Sequence, residues 1–196
     1  MVPGIILAAG RSSRMGRPKA LLPAEPGGPT FVRKIVHTLL EGGVIDALVV
    51  GRPEDEPLQR EIDAIGAHVR FVVNAHADSG QLSSVLAGLN AADKPGIEGV
   101  LVTPVDVPLI RAETVRTLLT AFSSQRAPIA RATHGGRHGH PVIFARAVFD
   151  ELRRADPALG AKAVVRAHAQ DVANVEVDDP GVLHDIDRPE DYQRLF

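Results

Sequence analysis

The sequence predicts an α/β fold, in which a mostly parallel sheet is covered by helices on both faces. This Rossmann-like, three-layer α/β/α arrangement is predicted as one domain over residues 1–196. Short apolar runs alternate with segments of helical periodicity, as is typical of parallel sheets. A hydrophobic content of 44% and a charged content of 23% suit a globular domain of this length. Ligands are therefore expected at the carboxyl ends of the strands.

The first apolar run, Ile5 to Leu7, passes abruptly into a loop rich in Gly, Ser and Arg. Gly10 and Gly16 allow positive φ, so the backbone can turn its N–H groups toward an anion. Cations and hydroxyl donors follow closely, at Arg11, Ser12, Ser13, Arg14, Arg17 and Lys19. This density of donors predicts a nucleoside triphosphate site. The alternative is a solvated basic loop.

Two better-known phosphate loops are excluded by spacing. A Walker A loop has four residues between its glycines and a Lys directly after the second, which Gly10, Gly16 and Lys19 do not match. The dinucleotide fingerprint G-x-G-x-x-G is also absent, because Ala8 and Ala9 precede Gly10. A nicotinamide-dependent enzyme is therefore disfavoured.

The remaining elements follow in order. Thr30 is predicted to cap a helix that ends at Gly42 and Gly43. Further helices are expected near 58–65, from the Gly80 region to 89, and over 113–122, 145–154 and 161–169. Further strands are expected at 47–50, 69–73, 99–110, 128–132 and 172–177, and a mobile loop over 133–144.

Two segments place polar residues at predicted strand ends. Asn74 to Leu89 begins where a strand should end, and Gly80, Ser83 and Ser84 can open a helix with free amides, either as ordinary capping or as a ligand contact. Asp106 lies alone in an apolar run and needs a partner, for which Mg²⁺ is the best candidate. Capping of the turn beside Pro108 is the alternative.

Other polar clusters lie nearer the carboxyl terminus. Asp185 and Asp187 share one face of an extended segment, where their repulsion calls for a cation, although either could cap the helix that Pro189 opens. His134, His138 and His140 invite a zinc site, but their spacing matches no common zinc pattern and the chain has no Cys.

Charge and composition limit the partners. The 22 basic and 24 acidic residues give a net charge of −2, so nucleic acid is not an expected partner. Neither a signal peptide nor an apolar run long enough for a membrane span is visible. A cytoplasmic location without membrane contact is therefore expected.

The segment LAAGRSSRMGRPKALLP, from Leu7 to Pro23, resembles the signature LAAGxSxRMGxxKxLL of the MobA-like nucleotidyltransferases. Within that family it is most similar to the molybdenum cofactor cytidylyltransferases. The segment around Asn74, the D-x-P pattern at Asp106, GHPV and DIDRPEDY extend the resemblance over nearly the whole chain. Two departures are Arg188 in place of Thr and a partial match to G-D-x-G-A-R at Asp156 to Lys162.

The resemblance implies the nucleotide-diphospho-sugar transferase fold and a set of site residues. Lys19, Arg14 and Asp106 are implied as catalytic residues, and Asp106, Asp185 and Asp187 as Mg²⁺ ligands, with either Asp185 or Asp187 joining Asp106. The second substrate would contact Gly139, His140 and Pro141. The implied nucleotide-binding residues are Leu7, Ala8, Ala9, Gly10, Arg11, Ser12, Ser13, Asn74, Gly80, Ser83 and Ser84.

The implied reaction is transfer of CMP from CTP to a phosphorylated acceptor, molybdenum-bound molybdopterin, with release of pyrophosphate. CTP is favoured because the loop reads LAAG, whereas the loop of the GTP-using branch typically reads LAGG. The first alternative is a guanylyltransferase or another nucleotidyltransferase that acts on molybdopterin, a sugar phosphate or another phosphorylated metabolite. The second is a regulatory nucleotide-binding module without turnover.

Overall fold

A computed structural model describes residues 1–194. The strands are β1 (Gly4–Leu7), β2 (Ala47–Gly51), β3 (Val69–Val73), β4 (Gly99–Pro104), β5 (Ile129–His134), β6 (Arg137–Ala145) and β7 (Val172–Glu176). The helices are α1 (Phe31–Glu41), α2 (Glu56–Asp63), α3 (Gln81–Ala92), α4 (Ala112–Gln125), α5 (Phe149–Arg154), α6 (Lys162–Ala167) and α7 (Pro189–Gln193). Short 3₁₀ turns cover Lys19–Leu21, Ala77–Ser79, Arg146–Val148 and Pro180–Leu183.

The strands form one seven-stranded sheet in the order β3-β2-β1-β4-β6-β5-β7. Neighbours from β3 to β4 are parallel, β6 is antiparallel to both β4 and β5, and β7 is parallel to β5. The mostly parallel sheet is therefore confirmed. Because β4 and β5 both run opposite to β6, their carboxyl ends lie at the same edge of the sheet.

Helices cover both faces of this sheet, as predicted. Alternate residues of β1 face opposite sides, so Ile6 packs into the cluster that includes α1 and α4, and Ile5 into the cluster that includes α3 and α5. Gly88 lets α3 approach β1 closely, because a Cβ there would lie 2.5 Å from Ile5 Cγ2. The α3 helix is thereby fixed beside the strand that leads into the Gly/Arg loop.

The predicted ends of α1 are also confirmed. The Thr30 hydroxyl accepts a hydrogen bond of 3.2 Å from the Arg33 amide, and the helix ends at Glu41, directly before Gly42. Such a cap satisfies one of the amides that have no partner within the helix. Within residues 1–194, no helix combines the length and the apolar character needed to cross a membrane.

Three predictions of local structure were wrong in part. The strand expected over 99–110 ends at Pro104, so Asp106 follows the strand rather than lying within it. The helix expected over 145–154 is a 3₁₀ turn followed by the six-residue α5. The loop expected over 133–144 is largely strand, because β5 and β6 form a hairpin whose turn contains Gly135 and Gly136 at φ 57° and 73°.

The hairpin contains an irregularity near the predicted acceptor residues. Val142 is opposite Arg131, whereas His138 is opposite Thr133, so three residues of β6 lie opposite the single residue Ala132 of β5. These three residues are Gly139, His140 and Pro141, and the His140–Pro141 peptide bond is cis. The GHP segment is thus a bulge within a strand.

Candidate active site

A cleft of about 380 Å³ opens at the carboxyl ends of β1 and β4. Its walls are the loop after β1, the start of α3, the turn after β4 and Asp187 from the end of the chain. The predicted site residues that line it are Leu7, Ala8, Ala9, Gly10, Arg11, Ser12, Ser13, Arg14, Lys19, Gly80, Ser84, Asp106 and Asp187. The others lie outside its lining: Asn74, Ser83, Gly139, His140, Pro141 and Asp185.

The loop after β1 is folded around Ser12. The Ser12 carbonyl accepts hydrogen bonds of 3.0 Å from the amides of Met15 and Gly16, and the Ser12 hydroxyl accepts one of 3.2 Å from the Lys19 amide. Ser12 and Gly16 have positive φ, 50° and 72°, whereas Gly10 does not. The expectation of positive φ was therefore right for Gly16 and wrong for Gly10, because the left-handed residue of the first turn is Ser12.

Lys19 joins acids from two distant parts of the chain. Its ammonium nitrogen lies 3.1 Å from Asp106 Oδ2 and also bonds Asp187 Oδ1, while its side chain is only 10% exposed. Arg14 Nη1 donates to the other Asp187 oxygen at 2.8 Å. The hydrogen bond from Lys19, aided by the nearby positive charges, lowers the pKa of Asp187. The three predicted catalytic residues thus lie in one cluster with Asp187.

The pKa of Asp185 is shifted in the opposite direction to that of Asp187. Burial raises the pKa of its carboxyl group, and the negative charges of Asp106 and Asp187 raise it further. Among the described residues, no group of three or more His, Cys, Asp or Glu side chains is placed to hold a metal ion. The Lys19 ammonium lies between Asp106 and Asp187 instead. The carboxylate oxygens of Asp106 and Asp187, which both line the cleft, are nevertheless the kind of ligand that a hard divalent cation prefers.

Asn74 fixes the start of α3. Its side-chain amide donates to the hydroxyls of Ser83 and Ser84 at 2.9 and 3.0 Å, and its carbonyl accepts from the His76 amide at 2.9 Å. Gly80, at φ 94°, is the residue before the first turn of the helix. These contacts position the α3 amino terminus at the cleft, where Gly80 and Ser84 reach the lining.

The three histidines considered for zinc do not converge. His134 Nδ1 contacts the Val177 carbonyl at 2.8 Å, and His138 Nε2 contacts Arg131 at 2.9 Å. His140 is partly exposed, but its Nδ1 is buried and has no hydrogen-bond partner within residues 1–194. Burial lowers the pKa of His140, and the nearby Asp106 charge opposes that effect. A Cβ at Gly139 would lie 2.3 Å from the Val182 carbonyl oxygen, so only glycine fits there.

Residues 4–172 match the family model of the MobA-like NTP transferase domain. The chain belongs to the MobA-like NTP transferase family. The predicted family and the fold of nucleotide-diphospho-sugar transferases are therefore confirmed.

Relatives of this MobA-like chain carry different names. It is 31% identical to "Nicotine blue oxidoreductase" of Paenarthrobacter nicotinovorans over 100% of this chain and 96% of that protein. It is 31% identical to a probable molybdenum cofactor guanylyltransferase of Mycolicibacterium paratuberculosis over 69% and 64% of the two chains. The crystal structure of Rv0371C of Mycobacterium tuberculosis in complex with manganese has a TM-score of 0.77, 26% identity and coverage of 99% and 97%.

Two residues of this MobA-like transferase that contact the loop were missed by sequence reasoning. Asp78 accepts a bidentate pair from Arg11, at 3.0 and 2.7 Å, and also bonds Arg52, so that the pKa of Asp78 is held well below its usual range. Arg52 also donates to the Ala9 carbonyl at 3.0 Å. Asp78 is 67 positions from Arg11, and no motif in the sequence indicated that Asp78 or Arg52 would contact the loop.

Proposed function

We propose that the chain is a Mg²⁺-dependent nucleotidyltransferase that transfers CMP from CTP to molybdenum-bound molybdopterin and releases pyrophosphate. The observation that carries this proposal is the cluster at the cleft. Lys19, which follows the Gly/Arg loop, contacts Asp106 after β4 and Asp187 near the end of the chain. The donors proposed to bind phosphate and the carboxylate oxygens proposed to bind the metal therefore face the same cleft. Transfer of a nucleotidyl group requires both at one place.

In the proposed reaction, a phosphate oxygen of the acceptor attacks the α-phosphorus of CTP. The bond from the α-phosphorus to the bridging oxygen breaks, and pyrophosphate leaves with that oxygen. The chain needs no covalent nucleophile, because alignment of the two anions and neutralisation of their charge are sufficient. Asp106, with Asp185 or Asp187, would hold Mg²⁺, which supplies positive charge to the phosphates.

The loop residues have distinct proposed roles. The amides from Ala9 to Ser13 and the guanidinium of Arg14 bind the β- and γ-phosphates, which leave together as negatively charged pyrophosphate. Lys19 binds the α-phosphate, since an ammonium group has three N–H donors and its contacts to Asp106 and Asp187 use two of them. The burial of Lys19 strengthens this contact, because water screens it little.

CTP is the proposed nucleotide because the loop reads LAAG, as in the CTP-using branch that the sequence resembles, and Ala8 and Ala9 of this segment line the cleft. The similarity to a protein named a guanylyltransferase supports GTP as the alternative. The name oxidoreductase carried by another relative does not lead us to a redox function, because the loop lacks the dinucleotide fingerprint. A regulatory module without turnover would not need Asp106, Asp185 and Asp187 together.

A thermal-shift titration with CTP, GTP, ATP and UTP, each with and without Mg²⁺ or Mn²⁺, tests the proposal. A ligand that binds only the native state raises Tm by mass action. We expect the largest metal-dependent shift with CTP, and pyrophosphate release from CTP when molybdenum-bound molybdopterin is added. A larger shift with GTP would replace CTP by GTP in the proposal.

The Lys19→Ala variant serves as the negative control, and Arg70→Gln, which removes an exposed charge on β3, as the matched control. Lys19→Ala should lower both the shift and the release of pyrophosphate, whereas Arg70→Gln should change neither. A wild-type protein whose Tm responds to none of the nucleotides would contradict the assignment of the loop.

A further inference from the structure

Arg131 lies on β5, two strands away from β4, and is a partly buried cation. Its Nε donates to Asn174 Oδ1 of β7 at 2.6 Å, and its Nη2 lies 2.9 Å from His138 Nε2 of β6. Arginine only donates, so His138 Nε2 is the acceptor in this contact. Neither partner of Arg131 in these contacts supplies a negative charge.

The charge of Arg131 has no internal counterion. Within residues 1–194, no carboxylate oxygen lies within 4.0 Å of its guanidinium, whereas the partly buried Arg33 and Arg52 pair with Glu61 and Asp78. Burial lowers the pKa of Arg131, and no neighbouring charge acts against that effect. Since guanidinium stays protonated, the folded chain carries the cost of partly desolvating an unpaired cation. A ligand that supplies an anion would remove this cost.

The sheet places Arg131 near the edge that bears Asp106. Val142 of β6 is opposite both Val102 of β4 and Arg131 of β5, so Arg131 is two strands away from β4, or about 10 Å. The contact with His138, which is opposite Thr133, shows that the guanidinium is directed toward the carboxyl end of β5. The carboxyl end of β4, which precedes Asp106, lies at the same edge.

A polar atom without a hydrogen-bond partner lies between these two strands, on β6. His140 is in the β6 bulge, and its Nδ1 is buried with no hydrogen-bond partner among the described residues. Its ring is close enough to Asp106 and Lys162 for both charges to affect its pKa. His140 Nδ1 thus lacks a hydrogen-bond partner and Arg131 lacks a counterion, on neighbouring strands of the sheet. A buried polar atom without a partner is unusual in a folded protein, and a bound ligand is one way to satisfy it.

We infer that Arg131, His138 and His140, here called the β5–β6 strip, bind an oxyanion group of the acceptor, at a point distinct from the phosphate that receives the nucleotide. This inference rests on the proposed function for the identity of the ligand as acceptor, and on the geometry alone for the anion site. Arg131 supplies two N–H groups in a fork that matches two oxygens of a carboxylate, phosphate or oxometal group. The acceptor then has anionic groups at two ends, about 10 Å apart.

Selenate provides a direct test, because its anomalous scattering locates it in a crystal without knowledge of the acceptor. Titration of the wild-type protein with selenate, in the presence of CTP and Mg²⁺ to fill the nucleotide cleft, gives the Kd. We expect a selenate peak beside Arg131. In Arg131→Gln the peak should disappear and binding should weaken roughly tenfold or more, since a charged hydrogen-bond partner is lost.

Two variants control the selenate experiment. Arg131→Lys keeps the charge without the fork and should bind selenate with intermediate affinity. Arg70→Gln removes an exposed arginine of β3 and should bind as the wild type does. Circular dichroism shows whether each variant is folded. Selenate that is found only in the Gly/Arg loop, or that binds Arg131→Gln as tightly as the wild type, would overturn the inference.

A kinetic experiment connects the site to the acceptor. If the acceptor binds here, Arg131→Gln raises the KM for molybdenum-bound molybdopterin roughly tenfold and leaves the KM for CTP unchanged. An unchanged KM for the acceptor overturns the assignment to the acceptor. Failure of the wild-type protein to transfer any nucleotide contradicts the proposed function instead, and the selenate result still decides whether the β5–β6 strip binds an oxyanion.

Discussion

The two sides of the site differ in how their charges are compensated. On the proposed nucleotide side, Arg11, Arg14 and Lys19 contact carboxylates of the chain itself. On the proposed acceptor side, Arg131 has no carboxylate partner and His140 Nδ1 has no hydrogen-bond partner among residues 1–194. The first arrangement preserves the loop geometry without ligand. The second leaves a cation without a counterion and a buried nitrogen without a hydrogen-bond partner.

Under the proposed function, the difference teaches how one sheet edge would bind two anions in succession. Internal acids hold the loop cations in place, so a triphosphate meets donors that are already oriented and little further ordering is needed. Their presence also lowers the net positive charge that the triphosphate meets. A cation without a counterion attracts an anion more strongly, but its burial destabilises the ligand-free protein. Variants that remove charges from either side should therefore differ in whether they affect binding, turnover or stability.

The largest effect is expected for Asp106→Ala, which removes an acid from the paired side. Lys19 keeps its contact with Asp187, so the fold should remain intact. Turnover should fall about 100-fold or more, because the variant lacks a carboxylate proposed to hold the metal and to position Lys19. The measurement is pyrophosphate release, with circular dichroism as the check on folding.

Asp63→Ala, which removes an exposed acid at the end of α2, is the matched control for Asp106→Ala and should behave as the wild type does. If Asp106→Ala releases pyrophosphate at the wild-type rate, the paired cluster is structural and the metal assignment fails.

A smaller effect is expected for Arg52→Gln, which tests whether orientation of the loop affects binding. Arg52 is only 15% exposed at its side chain and links the Ala9 carbonyl to Asp78. Without it, the first loop amides lose an anchor, and the KM for nucleotide should rise about tenfold while kcat changes less. The two constants are measured at saturating acceptor.

Arg60→Gln controls for the loss of one arginine, because Arg60 is exposed on α2 and pairs there with the exposed Glu56. An unchanged KM for nucleotide in Arg52→Gln would show that the turn at Ser12 and the contacts of Arg11 and Arg14 maintain the loop without Arg52. An equal loss of kcat and kcat/KM would show that Arg52 stabilises the transition state directly rather than positioning the loop.

The nucleotide side was predicted better from the sequence because its signals are local. The apolar run of β1, the Thr30 cap and the apolar periodicity of α1 each depend on neighbours within a few residues. The contact of Arg11 with Asp78 spans 67 positions and depends on how α3 is placed, which periodicity does not show. The pairing of Lys19 with Asp187 was likewise beyond the sequence, although both residues were predicted to lie in the site.

The acceptor side was predicted worse because its strands depend on each other. The sequence from Thr133 to His140 contains three glycines and three histidines, which predicted a mobile loop. The structure instead pairs β6 with both β4 and β5, so cross-strand hydrogen bonds stabilise residues of low intrinsic strand preference. Arg131 was not predicted as a site residue, because the absence of a counterion is visible only once the fold has placed its neighbours.

The smallest effect is expected from the protonation of His140, which should lower the free energy of unfolding. Burial, together with the charge of Lys162, keeps the pKa of His140 below its ordinary 6.5, although Asp106 acts in the opposite direction. The unfolded chain therefore binds a proton at this position at a higher pH than the native protein does. Stability from this group is fully present above pH 6.5 and is lost as the pH falls from there through the lower native pKa.

His140→Gln removes this titration. The free energy of unfolding of the wild type, relative to that of the variant, should decrease between pH 7.5 and 5.0, with a ceiling of about 1.4 kcal/mol per pH unit. Urea denaturation at several pH values measures it, and His37→Gln, on the exposed face of α1, corrects for the loss of one histidine. A difference that stays constant or grows on acidification would mean that Asp106 compensates His140⁺ in the native state. The unpaired side would then consist of Arg131 alone, and the contrast between the two sides would be a property of that arginine.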